Sequence, residues 1–258
     1  MKRNTIKKIQ NLKNKRPITC LTAYSSSIAK ILDKHVDIIL IGDSVGTTIY
    51  GMKNTRSVTL NMMINHGLSV TKSSKKALTV IDMPFKTYEN KKQALQNAKE
   101  ILKKTKCQAI KVEIDNSKIP IVSHLVKNKI NVVSHIGVLP QRYNNFFKIK
   151  KIRNNNYQIK KMLNLALKLQ KVGSCMILLE CVHRDLSKRI TDILDIPTIG
   201  IGSSSNCDGQ VLVINDILNI DNKAQTPKFV KKYTNLSSII EKAVNNFTLD
   251  VKNKRYPR

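Results

Sequence analysis

The stretch Val36-Asp37-Ile38-Ile39-Leu40-Ile41-Gly42-Asp43-Ser44-Val45-Gly46 decides the fold class of this 258-residue chain. It begins with apolar, mostly β-branched residues and ends with a carboxylate, a hydroxyl group and two glycines. Such a run is typical of a strand buried on both faces, as in a parallel sheet covered by helices. Its polar end then lies where α/β proteins place their functional side chains.

Similar apolar runs recur along the chain and alternate with helical patterns. We predict eight strands, at residues 18–23, 36–46, 77–82, 108–113, 130–135, 175–180, 197–201 and 210–214. A short lead-in helix at 6–12 precedes them, and an amphipathic helix at 236–247 follows them. This count and length predict a (β/α)8 TIM barrel, with an open doubly wound sheet as the alternative. No linker or repeat is visible, which predicts one domain over residues 1–258.

Composition limits the classes of function. The net charge of +29 suggests a nucleic-acid surface, but aromatic residues make up only 5% of the chain and do not interleave with the lysines as base-stacking platforms. We therefore attribute the charge to compositional drift on a solvated surface and expect no specific nucleic-acid partner. The sequence has no apolar run of transmembrane length and no signal-peptide segment. Its five cysteines form no Cys-x-x-Cys pair. We expect reduced thiols, a cytoplasmic location and no membrane association.

Five successive predicted strands, the second to the sixth, carry polar side chains at their ends. Each residue alone is more typical of a turn or a helix cap. Their joint appearance is different, because a barrel brings the carboxyl ends of its strands together around one mouth. The residues are Asp43, Ser44, Asp82, Lys111, Glu113, His135 and Glu180.

Three of these residues form an all-oxygen set. Asp43, Asp82 and Glu113 offer the carboxylate ligands that a hard divalent cation prefers. Mg²⁺ keeps several waters and takes one or two protein carboxylates, so one of the three can act through water. The sequence therefore predicts a metal-dependent site.

The other four residues suit an anionic substrate and proton transfer. Ser44 and Lys111 are candidates for binding an anionic group, although a buried ion pair with a carboxylate explains Lys111 equally well. His135 and Glu180 are available for proton transfer or hydrogen bonding.

The pattern Gly42-x-Ser44-x-Gly46 also fits the nucleophile elbow of α/β-hydrolases. That elbow leads directly into a helix. Residues 47–51 are β-branched and turn-like, so we predict that Ser44 is not a nucleophile.

Five motifs occur in the order and spacing of one enzyme family. They are Gly42-Asp43-Ser44-Val45-Gly46, Asp82-Met83-Pro84-Phe85, Lys111-Val112-Glu113, His135-Ile136-Gly137-Val138-Leu139-Pro140-Gln141 and Leu179-Glu180-Cys181-Val182. On the basis of these motifs, nearly the whole chain resembles the ketopantoate hydroxymethyltransferase family.

The resemblance implies a cytosolic (β/α)8 barrel enzyme of pantothenate synthesis. Its members transfer a hydroxymethyl group from 5,10-methylenetetrahydrofolate to 3-methyl-2-oxobutanoate, giving 2-dehydropantoate. The resemblance also implies Mg²⁺ on Asp43, Asp82 and Glu113, Glu180 as the catalytic base, and assembly as a homodecamer. The residues that it implies for substrate binding are Asp43, Ser44, Asp82, Lys111 and His135.

Two other functions stay open on the sequence. One is a folate-independent, metal-dependent 2-oxo-acid lyase or aldolase of the same barrel superfamily. The other is a catalytically decayed barrel that survives as a basic binding protein.

Overall fold

The computed structural model describes residues 3–144, 151–152, 155–220 and 227–257. The chain groups into two compact units, Met1–Val211 and Leu212–Arg258. A single domain over residues 1–258 remains a prediction.

The strands form a closed parallel barrel in sequence order. Neighbouring strands pair in register, for example Ile41 with Ile81 and Glu113 with His135. A hydrogen bond 2.8 Å long, from Ile18 N–H to Asp208 O, connects the first strand to the residue that directly precedes the last strand. The predicted (β/α)8 fold is therefore confirmed, and the open sheet is excluded. The strands are β1 (Ile18–Thr22), β2 (Ile38–Ile41), β3 (Leu78–Asp82), β4 (Ala109–Glu113), β5 (Val132–Gly137), β6 (Met176–Glu180), β7 (Thr198–Ile201) and β8 (Gly209–Leu212).

Helices connect the strands and cover the sheet. Several begin where a Thr or Asn side chain accepts a backbone N–H of the first turn, as Thr59 and Asn90 do. Within the described residues, the helices are α1 (Ile6–Gln10), α2 (Ser26–Leu32), α3 (Val45–Thr48), α4 (Leu60–Ser73), α5 (Lys91–Thr105), α6 (Ile119–Lys127), α7 (Asn156–Lys171), α8 (Arg184–Ile193), α9 (Ile214–Leu218) and α10 (Leu236–Lys252).

Three local predictions were wrong. The short helix α3 begins at Val45, inside the predicted strand 36–46, and includes Thr47 and Thr48, which were predicted to be turn-like; the backbone N–H and the hydroxyl group of both Thr residues donate to Ser44 O. The last strand ends at Leu212, and Ile214 already begins α9. Strand β5 continues two residues past His135 to Gly137, so His135 lies inside the barrel rather than at its rim.

Inward-facing side chains follow the two-residue period of a strand. Towards the amino ends of the strands they form one apolar cluster, into which α1 inserts the fully buried Ile9. The barrel members of this cluster are Ile18, Cys20, Ile38, Leu40, Leu78, Val80, Ala109, Val133, Met176, Leu178, Ile199 and Val211. Two residues further along four strands, the inward positions turn polar. Those positions are Asp82, Lys111, His135 and Glu180.

The second unit contains α9 and α10. The amphipathic C-terminal helix is confirmed and extends to Lys252. None of the residues of α10, all of which are described, is buried, and the apolar Ile239, Val244 and Phe247 are exposed.

No helix in the described parts of the chain combines the length and the apolar character needed to cross a bilayer. All five cysteines are free thiols, and Cys181 alone among them is not buried.

Candidate active site

The core of the site is an ion pair between adjacent strands. Asp82 ends β3 and pairs in register with Lys111 of β4, so both side chains enter the barrel at the same level. Lys111 Nζ lies 2.7 Å from Asp82 Oδ1, and both side chains are buried. The sequence suggested two roles for Lys111, binding of an anionic substrate group and a buried ion pair with a carboxylate. Its position is compatible with both, since it pairs with Asp82 and also faces the mouth of the barrel.

Asp43 joins this pair from the turn after β2. Its backbone N–H donates to Asp82 Oδ2 at 3.0 Å, and its own Oδ2 accepts from Gln141 Nε2 at 2.8 Å. Gly42 permits this close approach, because a Cβ there would lie 2.8 Å from Ser44 Oγ and 3.7 Å from Asp82 Oδ2.

His135 lies between two glutamates. Its Nε2 is 3.2 Å from Glu180 Oε2, and its Nδ1 is 3.9 Å from Glu113 Oε1. Although the first contact is short, neither ring nitrogen is aligned to form a hydrogen bond. Burial lowers the pKa of His135, against the opposing effect of Glu180, so the imidazole is neutral at pH 7. Glu180 is the more accessible of the two glutamates, with 19% of its side chain exposed.

Gly137 makes the position of Glu180 possible. The two residues pair across β5 and β6, and Val138 N–H donates to Glu180 O at 2.9 Å. Gly137 has a φ of +102°, and a Cβ there would lie 2.4 Å from Glu180 O. A side chain at this position would therefore displace the backbone that carries Glu180.

Burial and mutual repulsion hold the site in an unusual charge state. Burial, reinforced by the charge of Asp82, raises the pKa of Asp43 to about 7. Burial and the charge of Asp43 raise the pKa of Glu113 well above its ordinary value. Burial alone would lower the pKa of Lys111, but Asp82, Asp43 and Glu113 outweigh it and raise the pKa, so this ammonium stays charged.

The donor set fits a divalent cation. Four carboxyl groups, those of Asp43, Asp82, Glu113 and Glu180, share this region with one ammonium, that of Lys111, so the carboxyl groups outnumber the side-chain cation that pairs with them. Asp82 Oδ1 is also buried without an aligned hydrogen-bond donor, although Lys111 Nζ lies close to it. Within the described residues, no three or more His, Cys, Asp and Glu side chains already converge as a complete ligand set. Mg²⁺ does not require one, because it retains waters and binds through one or two carboxylates.

Ser44 has the surroundings of a hydrogen-bonding residue. Its Oγ lies 2.7 Å from the hydroxyl of Tyr24. Helix α3 does follow Ser44 directly, so the reason given for rejecting a nucleophile elbow was wrong. The rejection itself has a different basis: Ser44 has relaxed helical angles, φ −53° and ψ −16°, instead of the strained turn of such an elbow.

The sequence did not reveal three residues of the site: Tyr24, Tyr88 and Gln141. Gln141 is buried and contacts both Asp43 and Glu113, while Tyr88 contacts Gln141. Gln141 closes one of the sequence motifs, and that was its only signal. Tyr88 lies in a loop without periodicity.

Solved structures at low sequence identity share the fold of this chain. A 2,3-dimethylmalate lyase, itself a member of the PEP mutase/isocitrate lyase superfamily, aligns with a TM-score of 0.62 at 13% identity, over 81% of this chain and 81% of its own. An oxaloacetate acetylhydrolase in complex with the product oxalate aligns with a TM-score of 0.62 at 10% identity, over 97% of each chain. At such identities the likeness concerns the fold alone.

The sequence itself defines the family more narrowly. The chain belongs to the ketopantoate hydroxymethyltransferase family, whose sequence model matches residues 3–258. A 3-methyl-2-oxobutanoate hydroxymethyltransferase from Pelagibacter ubique is 48% identical over 255 residues, 97% of both chains. Proteins with the same name are 41% identical in Anaplasma marginale, over 96% of this chain and 89% of the relative, and 38% identical in Brucella canis, over 99% and 93%.

Proposed function

We propose that this protein transfers a hydroxymethyl group from 5,10-methylenetetrahydrofolate to 3-methyl-2-oxobutanoate, forming 2-dehydropantoate. The observation that carries the proposal is full-length membership of a family of hydroxymethyltransferases. The arrangement at the barrel mouth supports it, because every polar strand-end residue predicted from the sequence faces one region.

Mg²⁺ would be held by Asp43 and Asp82, with Glu113 as a third carboxylate acting directly or through water. The chemistry that a bound Mg²⁺ supplies is polarisation of the 2-oxo group, which makes the C3 proton of the substrate more acidic. The excess of buried carboxylates described above is the feature of this chain that supports the assignment.

The side chains of the site have separate roles in the proposed reaction. Lys111 keeps its proton and stabilises the negative charge that develops on the substrate oxygen as the C3 proton leaves. Glu180 accepts that proton, and the neutral His135 lies beside it, with Nε2 3.2 Å from Glu180 Oε2. Ser44, held by Tyr24, donates to the substrate carboxylate.

The first test is an assay of 2-dehydropantoate formation from the two substrates, with Mg²⁺ or with EDTA. We expect turnover with methylenetetrahydrofolate and Mg²⁺, and none with EDTA. Turnover with free formaldehyde alone would instead indicate a folate-independent aldolase. Absence of turnover under all conditions would indicate a decayed barrel.

The second test addresses the base. Glu180→Gln keeps the size of the side chain but removes the proton acceptor, so exchange of the C3 proton in deuterated water should fall by at least about 100-fold. Lys188→Gln, on the exposed face of α8, provides a control that should exchange normally. Undiminished exchange in Glu180→Gln would exclude Glu180 as the base.

The small-molecule substrates, the cytoplasmic location and self-association as a homodecamer belong to the same proposal. The exposed apolar side chains of α10 are compatible with burial between copies. Analytical ultracentrifugation tests the assembly, since a monomer at micromolar concentration would contradict it.

A further inference from the structure

One side chain joins the carboxylates that stand on different strands. Gln141 lies in a 3-10 turn (Pro140–Arg142) after β5, and its side chain is buried. Its backbone N–H lies 3.3 and 3.2 Å from the two carboxylate oxygens of Glu113, and its side-chain Nε2 donates to Asp43 Oδ2 at 2.8 Å. A residue outside the metal-ligand set therefore contacts two of its three carboxylates.

The orientation of the Gln141 amide is fixed by its neighbours. Nε2 also donates to the backbone oxygen of Met83 at 3.0 Å, and a carbonyl oxygen can only accept. The NH₂ group must therefore face Met83 and Asp43. Oε1 then accepts from the hydroxyl of Tyr88 at 2.5 Å, while that hydroxyl accepts from Glu113 N–H at 3.3 Å.

Tyr88 is itself held firmly. Its ring is almost completely buried, and Lys118 Nζ lies 4.2 Å above the ring centroid. Hydrogen bonds therefore run from Glu113 N–H to the Tyr88 hydroxyl, from that hydroxyl to Gln141 Oε1, and from Gln141 Nε2 to Asp43 Oδ2, so each polar group in this series has a partner. The Gln141 amide thereby fixes one carboxylate oxygen of Asp43, Oδ2.

From this geometry we infer that Gln141 is a positioning residue, supported by Tyr88, which presets the Asp43 and Glu113 carboxylates for a divalent cation. Hydrogen bonds that orient metal-ligating groups change metal affinity by about 10- to 100-fold when removed. The inference rests on the proposed function, because it concerns the same Mg²⁺ site.

The test measures Mg²⁺ binding to the protein without substrates, by isothermal titration calorimetry at pH 8. Gln141→Met keeps the length of the side chain and removes both polar ends, and it should weaken Mg²⁺ binding by about 10- to 100-fold. Tyr88→Phe removes one hydroxyl, and it should weaken binding less, because Met83 still orients the amide.

A matched control distinguishes positioning from stability. Gln170 makes comparable hydrogen bonds to Asp195 and to Ile196 N–H in a loop before β7. Gln170→Met should lower the free energy of unfolding in urea but leave Mg²⁺ affinity unchanged. In steady-state assays, Gln141→Met should raise the Mg²⁺ concentration needed for half-maximal activity, and saturating Mg²⁺ should restore most of kcat.

The outcomes separate this inference from the proposed function. Wild-type protein that binds no Mg²⁺ would overturn both. Wild-type protein that binds Mg²⁺, together with equal affinity in Gln141→Met, would overturn the role of Gln141 alone. A loss of affinity in Gln170→Met equal to that in Gln141→Met would also overturn it, because the effect would then be general destabilisation. If Gln141→Met fails to fold, unchanged affinity in Tyr88→Phe overturns the supporting network.

Discussion

Replacing a buried carboxylate of the site should stabilise this protein, whereas replacing an equally buried carboxylate elsewhere should destabilise it. Asp43 and Asp33 are 6% and 8% exposed, but their surroundings differ. The carboxylate of Asp43 faces other carboxylates. That of Asp33 accepts hydrogen bonds from Ser74 Oγ and from three successive backbone N–H groups, at 2.7–2.9 Å.

The magnitude for Asp43 follows from its pKa, which rises from 3.8 in the unfolded chain to about 7 in the fold, mainly through burial. Between these pH values the folded protein binds more protons at this site than the unfolded chain does. The contribution of Asp43 to the free energy of unfolding therefore falls as the pH rises, by about 4 kcal/mol in total above pH 7. Asp43→Asn mimics the protonated form and removes this penalty.

For Asp33 the sign is opposite. Burial opposes ionisation, but the hydrogen bonds from Ala77 N–H, Ser74 and the neighbouring N–H groups outweigh it and lower the pKa. The stabilisation is present above the unfolded pKa and is lost as the pH falls through the folded pKa. Asp33→Asn places an NH₂ group among donors and should cost about 1–3 kcal/mol at neutral pH.

The assay is urea unfolding of the metal-free proteins in EDTA at pH 5 and pH 8. Asp43→Asn should be more stable than the wild type by up to about 4 kcal/mol at pH 8, with a gain roughly 2.5 kcal/mol smaller at pH 5. Asp33→Asn should be less stable at both. A destabilised Asp43→Asn at pH 8, or an equal gain at both pH values, would refute the reasoning.

Three further results are expected. At about 100 times its dissociation constant, Mg²⁺ should raise the wild-type free energy of unfolding by about 2.7 kcal/mol at pH 8, and by less at pH 5; no effect at pH 8 would contradict the metal site. Tyr24→Phe should raise the KM for 3-methyl-2-oxobutanoate about tenfold with little change in kcat, because Ser44 loses its partner; an unchanged KM would exclude that support. Gly137→Ala should cost about 2 kcal/mol or more and reduce kcat by displacing Glu180, whereas Gly51→Ala, where a Cβ meets nothing within 4 Å, should cost less; equal losses would show that backbone strain alone is responsible.

The eight strands could be predicted because each is a short, buried apolar run, and the order of runs and helices then suggests a barrel. Helices α3 and α9 escaped prediction because they have only 4 and 5 residues, too few for a periodic pattern. The extension of β5 past His135 was missed because the polar His135 and the glycine two residues later are both typical of a strand end, although Ile136 between them is β-branched and buried.

The candidate site was predictable where its residues end strands, since parallel strands bring their carboxyl ends together. The link between Tyr88 and Gln141 was not predictable, because the two residues lie 53 positions apart in separate loops. Only the closure of the barrel brings those loops into contact. The charge state of Asp43 likewise depends on burial and on neighbours from other strands, which no local pattern reports.

Strand β4 also bears on how faithfully the barrel folds. Its inward residues are Ala109, Lys111 and Glu113, and Ile110 and Val112 point outward to the helices. A register slip of one residue would turn the ammonium and the carboxylate into the apolar layer under the helices, where no partner meets them. The two functional side chains thus also raise the free energy of folding intermediates in which β4 is mispaired. Replacing both Lys111 and Glu113 by apolar residues would remove this energetic difference between the correct register and the shifted one.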